Sequence, residues 1–201
     1  MAKKRKIKVL VFDLGGVLVH GGYLEFINHY CMECLTELGK KKILELERQV
    51  NLGNISENEF YKALQNVFGV HLSARQMHEK IAHKVTKDEE LINLIAKIGK
   101  SRAAMFTNSI GQMALEVLRL KQIPAKKLFR KVFISSSLRL VKPEASAYRY
   151  ILKKLKVRPN EAVMVDDRLI NIQGARRIGM GGILYENASQ FKKDLRQYEF
   201  R

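Results

Sequence analysis

The sequence predicts an α/β protein built on a doubly wound parallel sheet, with an all-helical segment inserted near its beginning. Three observations predict it. From about residue 87 onward, short apolar runs alternate with amphipathic segments of helical length, which implies a parallel sheet covered on both faces. A first apolar run, Val9–Phe12, stands far ahead of that series. Between the two, from Tyr23 to about Val85, the pattern is helical throughout.

The first strand lies in KVLVFDLGGVLV, Lys8 to Val19. Val9, Leu10, Val11 and Phe12 form a buried strand that delivers Asp13 into a turn made by Gly15 and Gly16. Glycine accepts a positive φ that an aspartate would resist, so whether this turn accepts a side chain at position 15 is left open. In the helical stretch, one helix runs from about Tyr23 to Leu38 and stops at Gly39. A second runs from about Lys41 to Val50 and ends before Asn51 and Gly53. Ser56 with Glu59 reads as a capping box for a third, which ends at Gly69, and Ser73 with Gln76 repeats the signature for a fourth.

The alternating part follows. A helix at about Lys87–Ile98 leads to a strand at Arg102–Thr107, and a helix near Gly111–Lys121 to a strand at Val132–Ile134. Pro143, placed as the first helical residue, opens a helix to Leu155. A strand at Ala162–Val165, a helix at Leu169–Ile178, a strand at Gly182–Tyr185 and a last helix after Asn187 complete the series. The expected division is a core of residues 1–20 and 86–201 with a helical cap of residues 21–85.

Composition narrows the function classes. At 201 residues with 46% hydrophobic content the chain can fill one ordinary core, so disorder is not expected. No apolar run approaches the roughly 20 residues that cross a bilayer. The basic N-terminus passes straight into the first strand without a signal-peptide core, so a cytoplasmic location is expected. Cys31 and Cys34 form a lone C-x-x-C without a second ligand pair at zinc spacing and read as two small helix residues. The net charge of +17 is uneven: residues 1–100 hold 16 basic and 12 acidic side chains, residues 101–201 hold 21 and 8. Such a field attracts polyanions and steers small phosphorylated molecules. Aromatic stacking platforms do not interleave with it and tryptophan is absent, so most of the charge reads as solvated surface and a nucleic-acid role is disfavoured.

The strand ends carry the chemistry. Ligands of open α/β sheets sit beyond the carboxyl ends of strands, where Asp13 lies, and a carboxylate there needs a metal, a hydrogen-bond network or a substrate to offset its burial. Thr107 and Asn108 end the next core strand, and their hydroxyl and amide, with N–H groups of the following helix start, suit an oxyanion. Lys142, beside Pro143, sets an ammonium near the strand edge. Asp166 and Asp167 end a further strand as adjacent acids, for which a hard cation is the natural partner.

With these residues in view, the chain resembles the haloacid dehalogenase-like (HAD) hydrolases, in the branch whose helical cap follows the first motif. The motifs are FDLGGVL at Asp13, FTN at Thr107, VKPE at Lys142 and VDDRLINIQGARRIGM at Asp166 and Asp167. They fall in the family's order, 94 residues apart from Asp13 to Thr107, then 35 to Lys142 and 25 to Asp167. The resemblance spans the whole chain. It implies a Mg²⁺-dependent phosphatase acting on a small phosphorylated metabolite such as a sugar phosphate, as a monomer or homodimer. Asp13 would be the nucleophile and a metal ligand, joined by the backbone carbonyl of Gly15 and by Asp167, with Asp166 supporting the metal directly or through water. Thr107, Asn108 and Lys142 would hold the phosphoryl group.

One position departs from the family pattern. Phosphatases of the family usually carry a second aspartate two residues after the nucleophile as general acid and base, and here that residue is Gly15. General acid–base catalysis typically contributes about 10²–10⁴-fold. Either the substrates have good leaving groups, or another group serves, with His20 and a substrate hydroxyl the nearest candidates, although His20 also reads as an ordinary loop residue. Two alternatives stay open: a weakly active or non-catalytic relative with a basic binding surface, and a 2-haloacid dehalogenase, which shares the nucleophilic aspartate but needs no metal.

Overall fold

The computed structural model describes residues 4–21, 36–68 and 72–200. Most of the helix expected at Tyr23–Leu38, including Cys31 and Cys34, lies outside the described residues. The elements in order are β1 (Arg5–Ile7), β2 (Val9–Phe12), β3 (Val19–His20), α1 (Glu37–Asn51), α2 (Glu57–Phe68), α3 (Ala74–Lys84), β4 (Thr86–Lys87) and α4 (Glu89–Ile98). There follow β5 (Ala103–Thr107), α5 (Gly111–Leu120), α6 (Ala125–Leu128), β6 (Val132–Ile134), α7 (Ser135–Leu138), α8 (Ala145–Leu155), β7 (Ala162–Asp166), α9 (Leu169–Arg177), β8 (Gly181–Leu184), α10 (Ala188–Leu195) and β9 (Tyr198–Phe200). No described helix is long and apolar enough to cross a membrane.

Five strands form a parallel sheet in the order β6-β5-β2-β7-β8. Successive side chains of a strand point to opposite faces, and here both faces are covered, which is why these strands read as unbroken apolar runs. Leu10, Phe12, Met105, Val163 and Val165 face one layer built from α4, α5 and α10. Val9, Val11, Ala104, Phe106 and Met164 face the other, built from α8 and α9. The chain winds from β2 through β5 to β6 on one side, then returns to β7 and β8 on the other. The order reverses at β2, and a doubly wound sheet opens its ligand crevice at such a switch point.

The helices α1, α2 and α3 share an apolar cluster of Ile43, Val50, Phe60, Tyr61, Leu64, Met77 and Ile81, against which Ile110 and Met113 also pack. The chain departs toward them through β3 and returns through β4, and these two strands pair antiparallel, Val19 with Lys87 and His20 with Thr86. Arg48 on α1 reaches Glu144 at 3.0 Å. Gly53, at φ +69°, lies so close to the core that a Cβ there would stand 2.6 Å from the Ser136 carbonyl oxygen.

Both capping boxes expected from sequence form. Ser56 Oγ accepts from Glu59 N–H while the Glu59 carboxylate accepts from Ser56 N–H, and Ser73 and Gln76 do the same. Two boundaries differ from expectation. Gly39 does not stop a helix: Thr36 caps α1 and its hydroxyl accepts from Gly39 N–H, so this glycine sits in the first turn of one continuous helix. Pro143 is not the first residue of α8, which starts at Ala145 with Glu144 as its cap. The Lys142–Pro143 peptide is cis, and the backbone of Lys142 is held by Asn108 rather than by a helix. Unanticipated from sequence are α6, α7, the short β3–β4 pair and a parallel pair of β1 with β9.

Candidate active site

β5, β2 and β7 are neighbours in the sheet, so Thr107, Asp13 and Asp166–Asp167 emerge side by side at its carboxyl end. Asp13 is buried just beyond β2. Its N–H donates to the Val165 carbonyl at 2.9 Å, and one carboxylate oxygen accepts from Leu14 N–H at 2.7 Å. The other oxygen lies 2.8 Å from Lys142 Nζ, which also lies 2.7 Å from Asp166. One ammonium therefore serves two carboxylates, and the side chains of Lys142 and Asp166 are fully enclosed.

The electrostatics follow from that stoichiometry. Burial disfavours the ionised form of Asp13 and is the largest influence. Lys142 counters it and Asp166 adds to it, leaving the Asp13 carboxyl raised to about 7. Burial pulls the Lys142 ammonium downward, but the two carboxylates outweigh it and hold the group above its ordinary value. Asp167, exposed beside them, is shifted upward by partial burial and by Asp166. Taken alone, these side chains carry surplus negative charge, and one carboxylate oxygen each from Asp13, Asp166 and Asp167 lie within 4.8 Å of one another. Three carboxylates without nitrogen or sulfur donors form a set suited to a hard divalent cation.

Gly16 shows how that cluster is made possible. Its φ is +72°, and a Cβ there would stand 2.1 Å from Asp167 Oδ2, so position 16 is bare to let this carboxylate lie over the turn. Gly15, in the same turn, differs. It does not adopt a positive φ, and nothing lies within 4 Å of an added Cβ. The backbone requirement belongs to Gly16 alone.

Each remaining residue singled out from sequence has a definite place. Thr107 is buried at the end of β5, paired with Ile134. Asn108 grips the backbone of Lys142: its Nδ2 donates to the Lys142 carbonyl and its Oδ1 accepts from Lys142 N–H, both at 2.9 Å. The nearby Ser109 N–H is taken by Ser135 Oγ at 3.0 Å. Lys142 is thus fixed at its backbone by Asn108 and at its tip by two acids. Asp166 is equally occupied, since Oδ1 accepts from Arg168 N–H and Asn171 Nδ2, both at 2.9 Å. His20 stacks on Tyr185 and sets Nε2 3.4 Å from Asp88, which also accepts from the Tyr185 hydroxyl at 2.5 Å. The sequence reading missed Asn171, the positioning use of Asn108 and the contact of Gly16 with Asp167. Only the spacing of Asn171 within the last motif could have pointed to it.

A buried carboxylate at the switch point of a parallel sheet, a shared lysine and an adjacent acid pair form a site fit to bind a divalent cation and an anionic ligand. A family model of haloacid dehalogenase-like hydrolases matches residues 7–179, and the chain belongs to that family. It is 23% identical to the D-ribitol-5-phosphate phosphatase of Bacteroides thetaiotaomicron, over 94% of this chain and 97% of that protein. It is 24% identical to the drimenol cyclase of Aspergillus calidoustus over 94% of its own length, and there it spans only 36% of the relative. Among solved structures, an HAD-family enzyme of Bacteroides thetaiotaomicron in complex with magnesium and inorganic phosphate superposes with a TM-score of 0.72 at 20% identity, covering 90% of this chain and 94% of that one.

Proposed function

We propose that this hydrolase is a Mg²⁺-dependent phosphatase of small phosphorylated metabolites that works through an aspartyl-phosphate on Asp13. The carrying observation is the sharing of Lys142 Nζ between Asp13 and Asp166, at 2.8 and 2.7 Å, beside a third carboxylate from Asp167. A dehalogenase needs no cation and has no use for three converging acids. A phosphatase does, because a carboxylate can approach a phosphate dianion only where the opposing charge is neutralised.

In this reading Asp13, the Gly15 carbonyl and Asp167 hold the metal, with Asp166 behind them. Mg²⁺ at that position supplies charge neutralisation for the phosphoryl oxygens. Asp13 attacks phosphorus as the P–O bond to the substrate alcohol breaks, and the departing oxygen takes a proton from solvent. Water then cleaves the acyl-phosphate to inorganic phosphate and free Asp13, so one difficult hydrolysis becomes two easier steps. Lys142 stabilises the charge that develops on the phosphoryl oxygens, and Thr107 orients them. Asn108 clamps the backbone of Lys142 with one amide N–H and presents the other to the phosphate. Residues 21–85 are the cap that closes over the site. Its departure and return through β3 and β4, and its own apolar cluster, support that division.

Position 15 sets the leaving-group preference. Without an aspartate there, the departing oxygen lacks the family's proton donor, so sugar 1-phosphates, acyl phosphates and aryl phosphates should be favoured over sugar 6-phosphates. The test is phosphate release from such a panel with Mg²⁺ and with chelator. Expected are metal-dependent turnover, at least a tenfold higher kcat/KM for a hexose 1-phosphate than for its 6-phosphate, and loss of turnover in Asp13→Asn. Equal values for the two hexose phosphates would refute the leaving-group argument. Turnover that survives in Asp13→Asn would refute the nucleophile.

A further inference from the structure

We infer that the amino-terminal end of the sheet, opposite the carboxylate cluster, is a docking surface for the phosphate backbone of a nucleic-acid duplex. The net charge of +17 is not spread evenly over the fold. In a parallel sheet every strand enters at the same end, and every covering helix also finishes there. The helices α4, α8, α9 and α10 all carry lysine or arginine in their last turn. One such residue per helix is accounted for by the negative end of the helix dipole. The surplus is not.

The cations around the end of α8 and the entries to β5 and β6 are gathered by one residue. Arg130, at the entry to β6, donates to the Ser101 carbonyl at 3.1 Å, in the segment that enters β5, and also to the Leu155 carbonyl at the end of α8. A single guanidinium thus draws three chain segments together, and their lysines come with them. Lys100 precedes β5, Lys126, Lys127 and Lys131 precede β6, and Lys153 and Lys156 flank the end of α8. All six are exposed, and none forms a salt bridge among the described residues. The nearest buried carboxylate at this end, Glu161, is already engaged by Lys8 and Arg158.

The chemistry of the face selects its partner. Lysines are compact, strongly hydrated charges that meet phosphates as points rather than reading base edges. Single strands need aromatic rings on which bases stack; two rings at this end are covered by cations, Tyr150 by Lys154 Nζ at 5.3 Å and Phe200 by the Arg102 guanidinium at 4.9 Å. An amphipathic membrane contact needs apolar side chains to insert, and Val132, 36% exposed, is the only large apolar side chain of these segments among the described exposed ones. A duplex backbone, continuous in charge and without exposed bases, fits what remains.

The test is binding of a random-sequence 20-base-pair DNA duplex to the intact chain, followed by fluorescence anisotropy across a salt series. The wild-type protein should bind at low salt, with log K falling linearly against log salt. The triple variant Lys126→Gln/Lys127→Gln/Lys131→Gln should reduce that slope by about three, close to one for each phosphate left without its lysine. Its phosphatase activity and thermal unfolding should be unchanged, since these lysines lie at the opposite end of the sheet. A control, Lys41→Gln/Lys42→Gln on α1, should keep the full slope. Absence of duplex binding at low salt would overturn the proposal. So would an unchanged slope in the triple variant, equal loss in the control, or stronger binding to single strands or to vesicles of anionic lipid.

Discussion

The two ends of the sheet carry opposite versions of one arrangement. At the carboxyl end a single cation, Lys142, is enclosed between Asp13 and Asp166. At the amino end a single carboxylate, Glu161, is held between Lys8 at 3.2 Å and Arg158 at 3.0 Å. Glu161 is itself enclosed, but its partners Lys8 and Arg158 are exposed and keep much of their hydration, and the hydrogen bonds from Arg158 hold its carboxyl down at about 2. The partners of Lys142 are buried, and there the balance tips the other way, with Asp13 raised to about 7. Charge clusters of opposite sign thus do different work according to how far their outer partners reach solvent. One ties down a loop. The other keeps a carboxylate poised against a charge that it cannot fully neutralise.

The largest expected effect breaks the buried side of this comparison. Lys142→Met leaves two enclosed carboxylates without their cation, and removing one partner of a buried pair typically costs about 3–5 kcal/mol. Chemical denaturation should read that loss. Turnover should fall by about 10²–10³-fold, the usual consequence of deleting one charge-stabilising donor. A variant as stable as the wild-type protein would show that Asp13 and Asp166 need no counter-ion. Next in size is the turn beneath the cluster. Gly16→Ala should lose about 1–2 kcal/mol from its left-handed backbone and, by displacing Asp167, raise the Mg²⁺ concentration needed for activity by about 10–100-fold. Gly15→Ala, in open space with ordinary backbone, should change stability by no more than about 0.5 kcal/mol. Equal losses at both positions would refute the separate roles given to these two glycines.

The smallest effect lies at the amino end of the sheet. Because the Glu161 carboxyl is depressed in the folded chain, its contribution is fully present above its ordinary value of 4.5 and is lost as pH falls toward about 2. Denaturant midpoints at pH 6 and pH 3 should therefore differ less in Glu161→Gln than in the wild-type protein. An identical difference in both would mean that other carboxylates govern the acid limb.

The five core strands were legible because a parallel strand is buried on both faces and needs only an apolar run to announce it, as Val9–Phe12 and Ala103–Thr107 do. The pair of β1 with β9 was not: Arg5, Lys6 and Ile7 carry two cations in three residues, and their pairing with Tyr198–Phe200 depends on segments from opposite ends of the chain. Gly39 misled because glycine marks a helix end by its freedom of φ, yet it is tolerated in a first turn whose N–H is capped. At the site, the acids were legible as strand ends. What they rest on was not, since the grip of Asn108 on Lys142, of Asn171 on Asp166 and of Asp167 over Gly16 joins positions without any local signature.

The pairing of β3 with β4 has a wider consequence. His20 and Thr86 stand opposite one another in a ladder, so everything between them leaves and re-enters the core through a gap of about 5 Å. A loop whose ends are already joined is indifferent to what it contains, and doubling its length costs only about 0.6 kcal/mol in closure entropy. Evolution can therefore exchange the whole excursion for one of another size or shape while Asp13, Lys142 and the acid pair stay where the sheet puts them. If this excursion is the cap proposed above, new specificities can arise by replacing it, without re-solving the chemistry at the strand ends.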